Sequence, residues 1–137
     1  MGYVMDCSWS SALFLPDENS GKVEAFFLHQ AERAVSIHVP QLWWHETTNV
    51  LLSAMKRNRL PHAAALEILQ MLEQMPLTTD QEYGMEIAER TIGLGREHGL
   101  SGYDAAYLEL ALRKQATLLT LDSVLGKAAG SAGIPVA

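Results

Sequence analysis

Residues 101–122 have the sequence SGYDAAYLELALRKQATLLTLD, in which a pattern with helical spacing is followed by a short apolar run. The pattern predicts a helix over residues 103–114. The run at 117–121 is continuous rather than alternating, as a strand covered on both faces is. Asp104 stands in the first turn of the predicted helix, and Asp122 follows the run directly. A helix that leads into a buried strand is typical of α/β proteins.

The same alternation extends along the rest of the chain. Similar apolar runs predict strands at residues 3–5, 36–39 and 134–136, with a weaker candidate at 76–79. The last is weaker because Pro76 fits only the start or the edge of a strand. Helical spacing predicts helices over residues 42–57, 61–74 and 81–97. Ser8 and Asn19 are suitable N-caps for helices on either side of Pro16.

These elements predict one α/β domain over residues 1–137, with a parallel sheet covered by helices on both faces. The chain is 48% hydrophobic, and 16 acidic residues outnumber 10 basic ones, for a formal charge of −6. This balance argues against binding of nucleic acid by bulk charge alone, but it leaves room for an enzyme that recruits cations.

The single cysteine, Cys7, excludes an intramolecular disulfide and a cysteine-based zinc cluster, and it fits a reducing compartment. No apolar run approaches the roughly 18 residues of a membrane span. The first residues also lack the basic segment of a secretory signal. We therefore expect a cytoplasmic protein that does not enter a membrane.

Carboxylates stand where ligands gather in α/β proteins, outside the carboxyl ends of the parallel strands. Asp6 and Asp122 each end an apolar run, and Asp104 and Glu46 lie on helices from which they can reach inward. A carboxylate among apolar neighbours is costly unless something satisfies it, and a divalent cation does so. Mg²⁺ and Mn²⁺ prefer carboxylate and water oxygens.

Each of these acids also has an ordinary structural interpretation. Asp6 suits a turn at a strand end, Asp104 and Asp122 suit helix N-caps, and Glu46 suits an ion pair with a basic residue of a neighbour. Spacing alone favours these structural roles over a metal site. Sequence order by itself does not bring the four acids together.

Several motifs, taken together, resemble the PIN domain of the VapC type. They are VMDCS at residues 4–8, ETTNVL at 46–51, SGYDAAYLELA at 101–111 and LTLD at 119–122, followed by KAA at 127–129 and GIPV at 133–136. Their order in a chain of this length makes the resemblance specific, and it covers essentially the whole sequence. The departure from the family pattern is mild: Cys7 stands where a small Ala or Ser is more usual.

The resemblance implies a three-layer α/β/α fold with a central parallel sheet and a Mg²⁺- or Mn²⁺-dependent endoribonuclease site. The positions that match the family's metal-holding acidic pocket are Asp6, Glu46, Asp104 and Asp122. Thr120 matches a family hydroxyl position, and Ser8 matches a small polar one. Similar proteins are commonly toxins of bacterial toxin–antitoxin pairs and usually form homodimers. A small VapB-like antitoxin neutralises them by placing its C-terminal segment in the cleft.

Other residues support or extend this interpretation. Thr120 and Asp122 share one side of an extended strand, and Asn49 follows Glu46 by about one helical turn, so it can hold that carboxylate or a bound water. Trp9 follows Asp6 closely and is the best aromatic candidate for contact with substrate or partner. Three basic residues suit either an RNA backbone or a solvated helix end: Lys56, Arg57 and Arg59.

Two other functions compete with the nuclease. One is an inactive PIN-fold module that binds protein or RNA without turnover; retention of all four acids argues against it. The other is a phosphoacceptor regulator with Asp6 as the acceptor. Such domains need an acidic pair after the first strand and a lysine after a late strand, and the sequence has neither.

Overall fold

The computed structural model describes residues 2–15, 20–31 and 33–137. Within them lie four strands: β1 (Gly2–Met5), β2 (Ser36–Val39), β3 (Leu77–Thr79) and β4 (Thr117–Leu119). The same residues form seven helices: α1 (Cys7–Phe14), α2 (Ser20–Gln30), α3 (Gln41–Lys56), α4 (His62–Glu73), α5 (Met85–His98), α6 (Gly102–Lys114) and α7 (Ser123–Ser131). Of these helices, none is long and apolar enough to cross a membrane.

The strands form one parallel sheet in the order β3-β2-β1-β4. Tyr3 of β1 pairs with Ile37 on one side and Thr117 on the other, and Ile37 pairs in turn with Leu77. Because all four strands run in one direction, their carboxyl ends lie at a single edge. The predicted α/β fold with a central parallel sheet is confirmed.

Burial explains why the strands read as continuous apolar runs. Val4 and Met5 are adjacent in β1, so their side chains point to opposite faces of the sheet, and both are fully buried. Leu118 and Leu119 of β4 are buried in the same way. Both faces of the sheet are therefore covered, so polar and apolar residues do not alternate along these strands.

Two predicted strands differ from the observed ones. β4 ends at Leu119 rather than at residue 121, because the next amides bond to side chains: Leu121 N donates to Ser8 Oγ at 2.9 Å and Asp122 N to Thr120 Oγ1 at 3.0 Å. Residues 134–136 contribute an isolated bridge between Leu118 and Val136 instead of a strand. Pro76 does precede an edge strand, β3, as predicted.

The helices match their predictions except at their ends. α5 begins at Met85 rather than at residue 81, after Gly84 with φ 123°, a backbone conformation that suits glycine. Helix α7 was anticipated only through Asp122, a candidate helix N-cap, and no range was predicted for it. The N-cap of α1 is Asp6, not Ser8, which lies inside the first turn. The other predicted cap, Asn19, is outside the described residues.

Candidate active site

Asp6 lies at the carboxyl end of β1, and the residue is 5% exposed. Oδ1 accepts hydrogen bonds from Trp9 N at 3.0 Å, which caps α1, and from Ser8 Oγ at 2.7 Å. Oδ2 accepts the hydroxyl of Thr120, from the segment after β4. The predicted supporting residues Ser8 and Thr120 thus both contact this aspartate.

Burial raises the pKa of Asp6, although hydrogen bonds from Thr120, Ser8 and Trp9 act to lower it. The negative charge of Asp122 raises the pKa further. A deprotonated Asp6 is therefore held by directed hydrogen bonds in a place where water does not stabilise it, and a positive charge beside it would be favourable.

Asp122 follows β4 at the same edge and caps α7. Its Oδ1 accepts bonds from Val124 N at 2.9 Å and Leu125 N at 3.0 Å. The structural role weighed for this residue, a helix N-cap, is confirmed. Because both bonds use Oδ1, capping does not engage the second carboxylate oxygen.

Asp104 is half-buried in the first turn of α6. It is not the N-cap of this helix, so the structural role weighed for it is wrong. The N-cap is Ser101, whose Oγ accepts a hydrogen bond from Asp104 N at 3.1 Å. Burial raises the pKa of Asp104, and the charge of Asp122 raises it too. The charge on Asp122 thus acts on both Asp6 and Asp104.

Glu46 is half-buried on α3 and accepts a 2.5 Å hydrogen bond at Oε1 from the hydroxyl of Tyr107, on α6. Burial raises the pKa of Tyr107, and Glu46 raises it further, so the phenol stays protonated and donates. Sequence reasoning assigned Tyr107 no role. The available signal was its position three residues after Asp104, on the same side of α6.

The four acids Asp6, Glu46, Asp104 and Asp122 are called the acidic cluster below. Their charges act on common neighbours: Glu46 and Asp6 both raise the pKa of Cys7. Across the described residues, no three Asp, Glu, His or Cys side chains are close enough to form a complete metal site. Mg²⁺ typically takes only one or two carboxylates and keeps several waters, so the buried carboxylate of Asp6 and the exposed one of Asp122 fit such an ion.

The PIN-domain family profile matches residues 3–131. The chain is also 33% identical over 131 residues to Ribonuclease VapC3 of Pyrobaculum aerophilum, a match that covers 93% of this chain and 94% of that protein. This chain belongs to the PIN-domain family, in its VapC branch. The resemblance of the sequence motifs to that family is therefore confirmed.

Solved structures agree on the fold of this PIN domain. The sarcin–ricin loop cleaving toxin VapC20 of Mycobacterium tuberculosis superimposes with a TM-score of 0.70 at 17% identity, over 92% of this chain and 94% of that one. VapBC2 of Rickettsia felis, solved with a fragment of its promoter DNA, gives a TM-score of 0.70 at 13% identity, over 100% of this chain and 98% of that one.

The PIN domain buries the tryptophan that was expected at its surface. Trp9 is 1% exposed, and its ring meets Phe26 edge to face with centroids 5.6 Å apart. Trp9 therefore packs in the core, and the prediction that it contacts substrate or partner is wrong. Trp43 is also buried, and its Nε1 donates to Ser10 Oγ at 3.1 Å.

The remaining candidates fall on the surface or beside the cluster. Asn49 is exposed one turn after Glu46 and lines the same cleft, and its role in holding this carboxylate or a bound water stays a prediction. Burial raises the pKa of the Cys7 thiol, which suits an inert packing residue rather than a nucleophile. Three basic side chains are exposed, as a solvated helix end requires: Lys56, Arg57 and Arg59.

Proposed function

We propose that residues 1–137 form one PIN domain that acts as a Mg²⁺- or Mn²⁺-dependent endoribonuclease and hydrolyses phosphodiester bonds in RNA. The observation that carries the proposal is the buried carboxylate of Asp6, which Ser8 and Thr120 hold at the end of β1. Asp122 follows β4 at the same edge, and a buried carboxylate with a second carboxylate nearby favours a cation. Identity of 33% to a VapC ribonuclease supports the same activity.

The residues that would hold the cation are those of the acidic cluster: Asp6, Glu46, Asp104 and Asp122. When bound, a divalent cation supplies Lewis-acid activation of water and of the scissile phosphate. Asp6, the most enclosed of the four, gives the site a fixed negative centre at the end of β1. Asp104 and Asp122 lie nearer to solvent, where they can take part in binding while an RNA strand approaches.

The supporting residues of this chain orient the acids. Thr120 and Ser8 donate to the two oxygens of Asp6, so the carboxylate cannot rotate without losing both bonds. Tyr107 holds Oε1 of Glu46 and leaves Oε2 available to the site. Such outer contacts tune ligand orientation and basicity in metal sites. Asn49 is a further supporting residue, beside Glu46.

We further propose that the chain is the toxin of a type II toxin–antitoxin module in the cytoplasm. Its antitoxin would be a small VapB-like protein with a segment that enters the cleft at the acidic cluster. In this proposal the negative charge of the acidic cluster favours a basic segment there, by charge complementarity. A homodimer is expected on the same family grounds. The antitoxin partner is also supported by a toxin–antitoxin complex from Klebsiella pneumoniae, which contains a chain of this fold.

The decisive experiment is RNA cleavage by pure protein, with Mg²⁺ or Mn²⁺ and with a chelator. Asp104→Asn should abolish metal-dependent cleavage, because it removes a proposed ligand of the cation. The variant should stay folded, because the change removes a half-buried charge that Asp122 repels. Glu86→Gln is the matched control: Glu86 occupies the first turn of α5, as Asp104 does in α6. Its cleavage rate should equal that of the wild type.

Two results would overturn the metal mechanism: cleavage that survives Asp104→Asn, or cleavage undiminished by the chelator. If the wild type binds RNA in Mg²⁺ and Mn²⁺ but never cuts it, the chain is instead the inactive binding module considered as the alternative.

A further inference from the structure

A cleft of about 450 Å³ opens beside the acidic cluster, bounded by α1, α3 and the first turn of α6. Its volume lies within the range of about 300–1,000 Å³ that small-ligand sites occupy. Cys7 joins the two longer walls, since its Sγ lies 3.5 Å from Ser11 Oγ on α1 and 3.9 Å from Thr47 Oγ1 on α3. Cys7 therefore lies between α1 and α3 and lines the cleft.

The cleft and the acidic cluster share residues. Ser8 lines the cleft and donates to Asp6 at 2.7 Å. Glu46 also lines the cleft, and its Oε1 is held by Tyr107. A phosphodiester at the acids therefore has the cleft directly beside it, and the nucleoside attached to that phosphate falls within reach of the cleft.

The chemistry of the cleft suits a flat, uncharged group. Tyr103, at the mouth, is 67% exposed and presents an aromatic ring next to Asp104. Leu42 and Val50 supply apolar walls. Aromatic rings of this kind stack on unpaired bases with little dependence on sequence.

Polar groups in the cleft can contact the edge of such a base. Asn49 offers an amide donor and acceptor, and Ser11 offers a hydroxyl. Glu46 is the acidic residue of the lining, and its charge repels a phosphate but not a neutral base. A base therefore fits the cleft better than the backbone of the same RNA does.

We propose that this cleft is a subsite for one unpaired nucleobase of the RNA, next to the scissile phosphodiester. Tyr103 is the stacking surface, and Asn49 and Ser11 contact the edge of the base. The inference rests on the proposed ribonuclease function, for which it names a specificity-determining site.

The test is titration of the isotope-labelled full chain with adenosine and with uridine, followed by NMR. We expect shifts at Ser11 and Asn49 that saturate with nucleoside. Tyr103→Ala should weaken binding between about fivefold and about 150-fold, since one stacked base is worth that much. Tyr103→Phe keeps the ring and should bind within about twofold of the wild type. Tyr83→Ala, at an 83% exposed tyrosine outside the cleft, is the control and should bind normally.

The proposal is overturned if neither nucleoside moves the cleft resonances, or if Tyr103→Ala binds as the wild type does. Arginine serves as a competing probe. Shifts with arginine alone would assign the cleft to a cationic side chain of a protein partner and refute the nucleobase site.

Cleavage kinetics separate this inference from the proposed function. Tyr103→Ala should raise KM for RNA and leave kcat nearly unchanged. If Tyr103→Ala cleaves RNA in a metal-dependent way with the KM of the wild type, the base subsite is refuted and the nuclease function is not. If the wild type binds nucleosides through Tyr103 but cuts no RNA, the ribonuclease function is refuted and the base-binding cleft is not.

Discussion

The Tyr107 hydroxyl donates a 2.5 Å hydrogen bond to Oε1 of Glu46 and so links α6 to α3 across the candidate site. Tyr107 is 2% exposed, which leaves its hydroxyl little access to bulk water. The bond therefore fixes one oxygen of Glu46 while the helices stay packed. A residue that touches neither metal nor substrate can in this way set the orientation of a proposed ligand.

Tyr107→Phe removes this hydroxyl and little else. We expect Mn²⁺ affinity to fall about 10- to 100-fold, the usual cost of losing an outer contact of a metal ligand. Isothermal titration with Mn²⁺ measures the change. In a Glu46→Gln background, the tyrosine substitution should have no further effect on affinity.

Tyr83→Phe is the matched control, because it removes an exposed hydroxyl and should leave Mn²⁺ binding unchanged. Normal Mn²⁺ affinity in Tyr107→Phe, with a loss of stability only, would show that the bond serves packing and not the site.

Thr120→Val replaces a buried hydroxyl by a methyl group of similar shape. Thr120 donates to Asp6 and accepts from Asp122 N at 3.0 Å, so the change leaves two polar groups without their partner. We expect the free energy of unfolding to fall by about 1–3 kcal/mol. Urea unfolding measures this loss, and Thr120→Ser should recover most of it.

Thr117→Val is the control, at the start of β4 and three residues before Thr120, and should change stability by less than about 0.5 kcal/mol. Equal effects at the two positions would contradict the assigned hydrogen bonds.

Arg113→Met tests a second charged cluster, on the C-terminal half of α6. Arg113 forms two bonds with Asp80, at 2.7 and 3.0 Å, and its Nε donates to buried Glu109 at 2.8 Å. Removal of the arginine takes this partner from Asp80 and leaves Glu109 with Arg90, at 3.4 Å, so we expect a loss of about 3 kcal/mol at neutral pH. Arg96→Met, at an exposed residue in the last turn of α5, should cost less than about 0.5 kcal/mol.

The ion pair between Arg113 and Asp80 predicts that the stability of the protein depends on pH. The hydrogen bonds from Arg113 lower the pKa of Asp80 below its ordinary value of 3.8. The stabilisation is therefore complete above that value and is lost as the pH falls through the lowered pKa of the folded state. The difference between wild type and Arg113→Met should narrow below about pH 4 in urea unfolding. A difference that stays constant into acid would contradict an ionic origin.

Two glycines of α5 provide a matched pair. A Cβ at Gly93 meets no atom within 4 Å, whereas one at Gly95 lies 3.0 Å from the carbonyl oxygen of Leu100. Gly93→Ala should stabilise the protein by about 0.5–1 kcal/mol, because alanine loses less backbone entropy in a helix. Gly95→Ala should gain less than this or lose stability. Thermal unfolding distinguishes them, and equal gains would contradict the close approach.

The alternation of strands and helices was predictable from sequence because burial leaves a local pattern. Strands covered on both faces read as continuous apolar runs, and the helices keep their period. The strand ends were not predictable. β4 stops at Leu119 because the amide of Leu121 bonds to Ser8 and that of Asp122 bonds to Thr120. Ser8 lies more than 100 residues away along the chain, so the local sequence does not indicate this bond.

The candidate site was predicted in part. Asp6 and Asp122 follow apolar runs, and the family motifs add Glu46 and Asp104; their catalytic roles stay predictions. The error at Trp9 arose from nearness in sequence. Trp9 follows Asp6 by three residues, but α1 turns its ring toward Phe26 and away from the surface.

The sequence by itself determined the fold class and the order of the four acids. The spacing of apolar residues and the acids that follow apolar runs can both be recognised from residues that are neighbours along the chain. Only the tertiary structure decided which side chains meet. Glu46 and Tyr107 are 61 positions apart, and nothing near either one specifies the other. Their bond, like the cleft at Tyr103, exists because the fold brings residues of α3 and α6 to the same end of the sheet, and that placement depends on the whole chain.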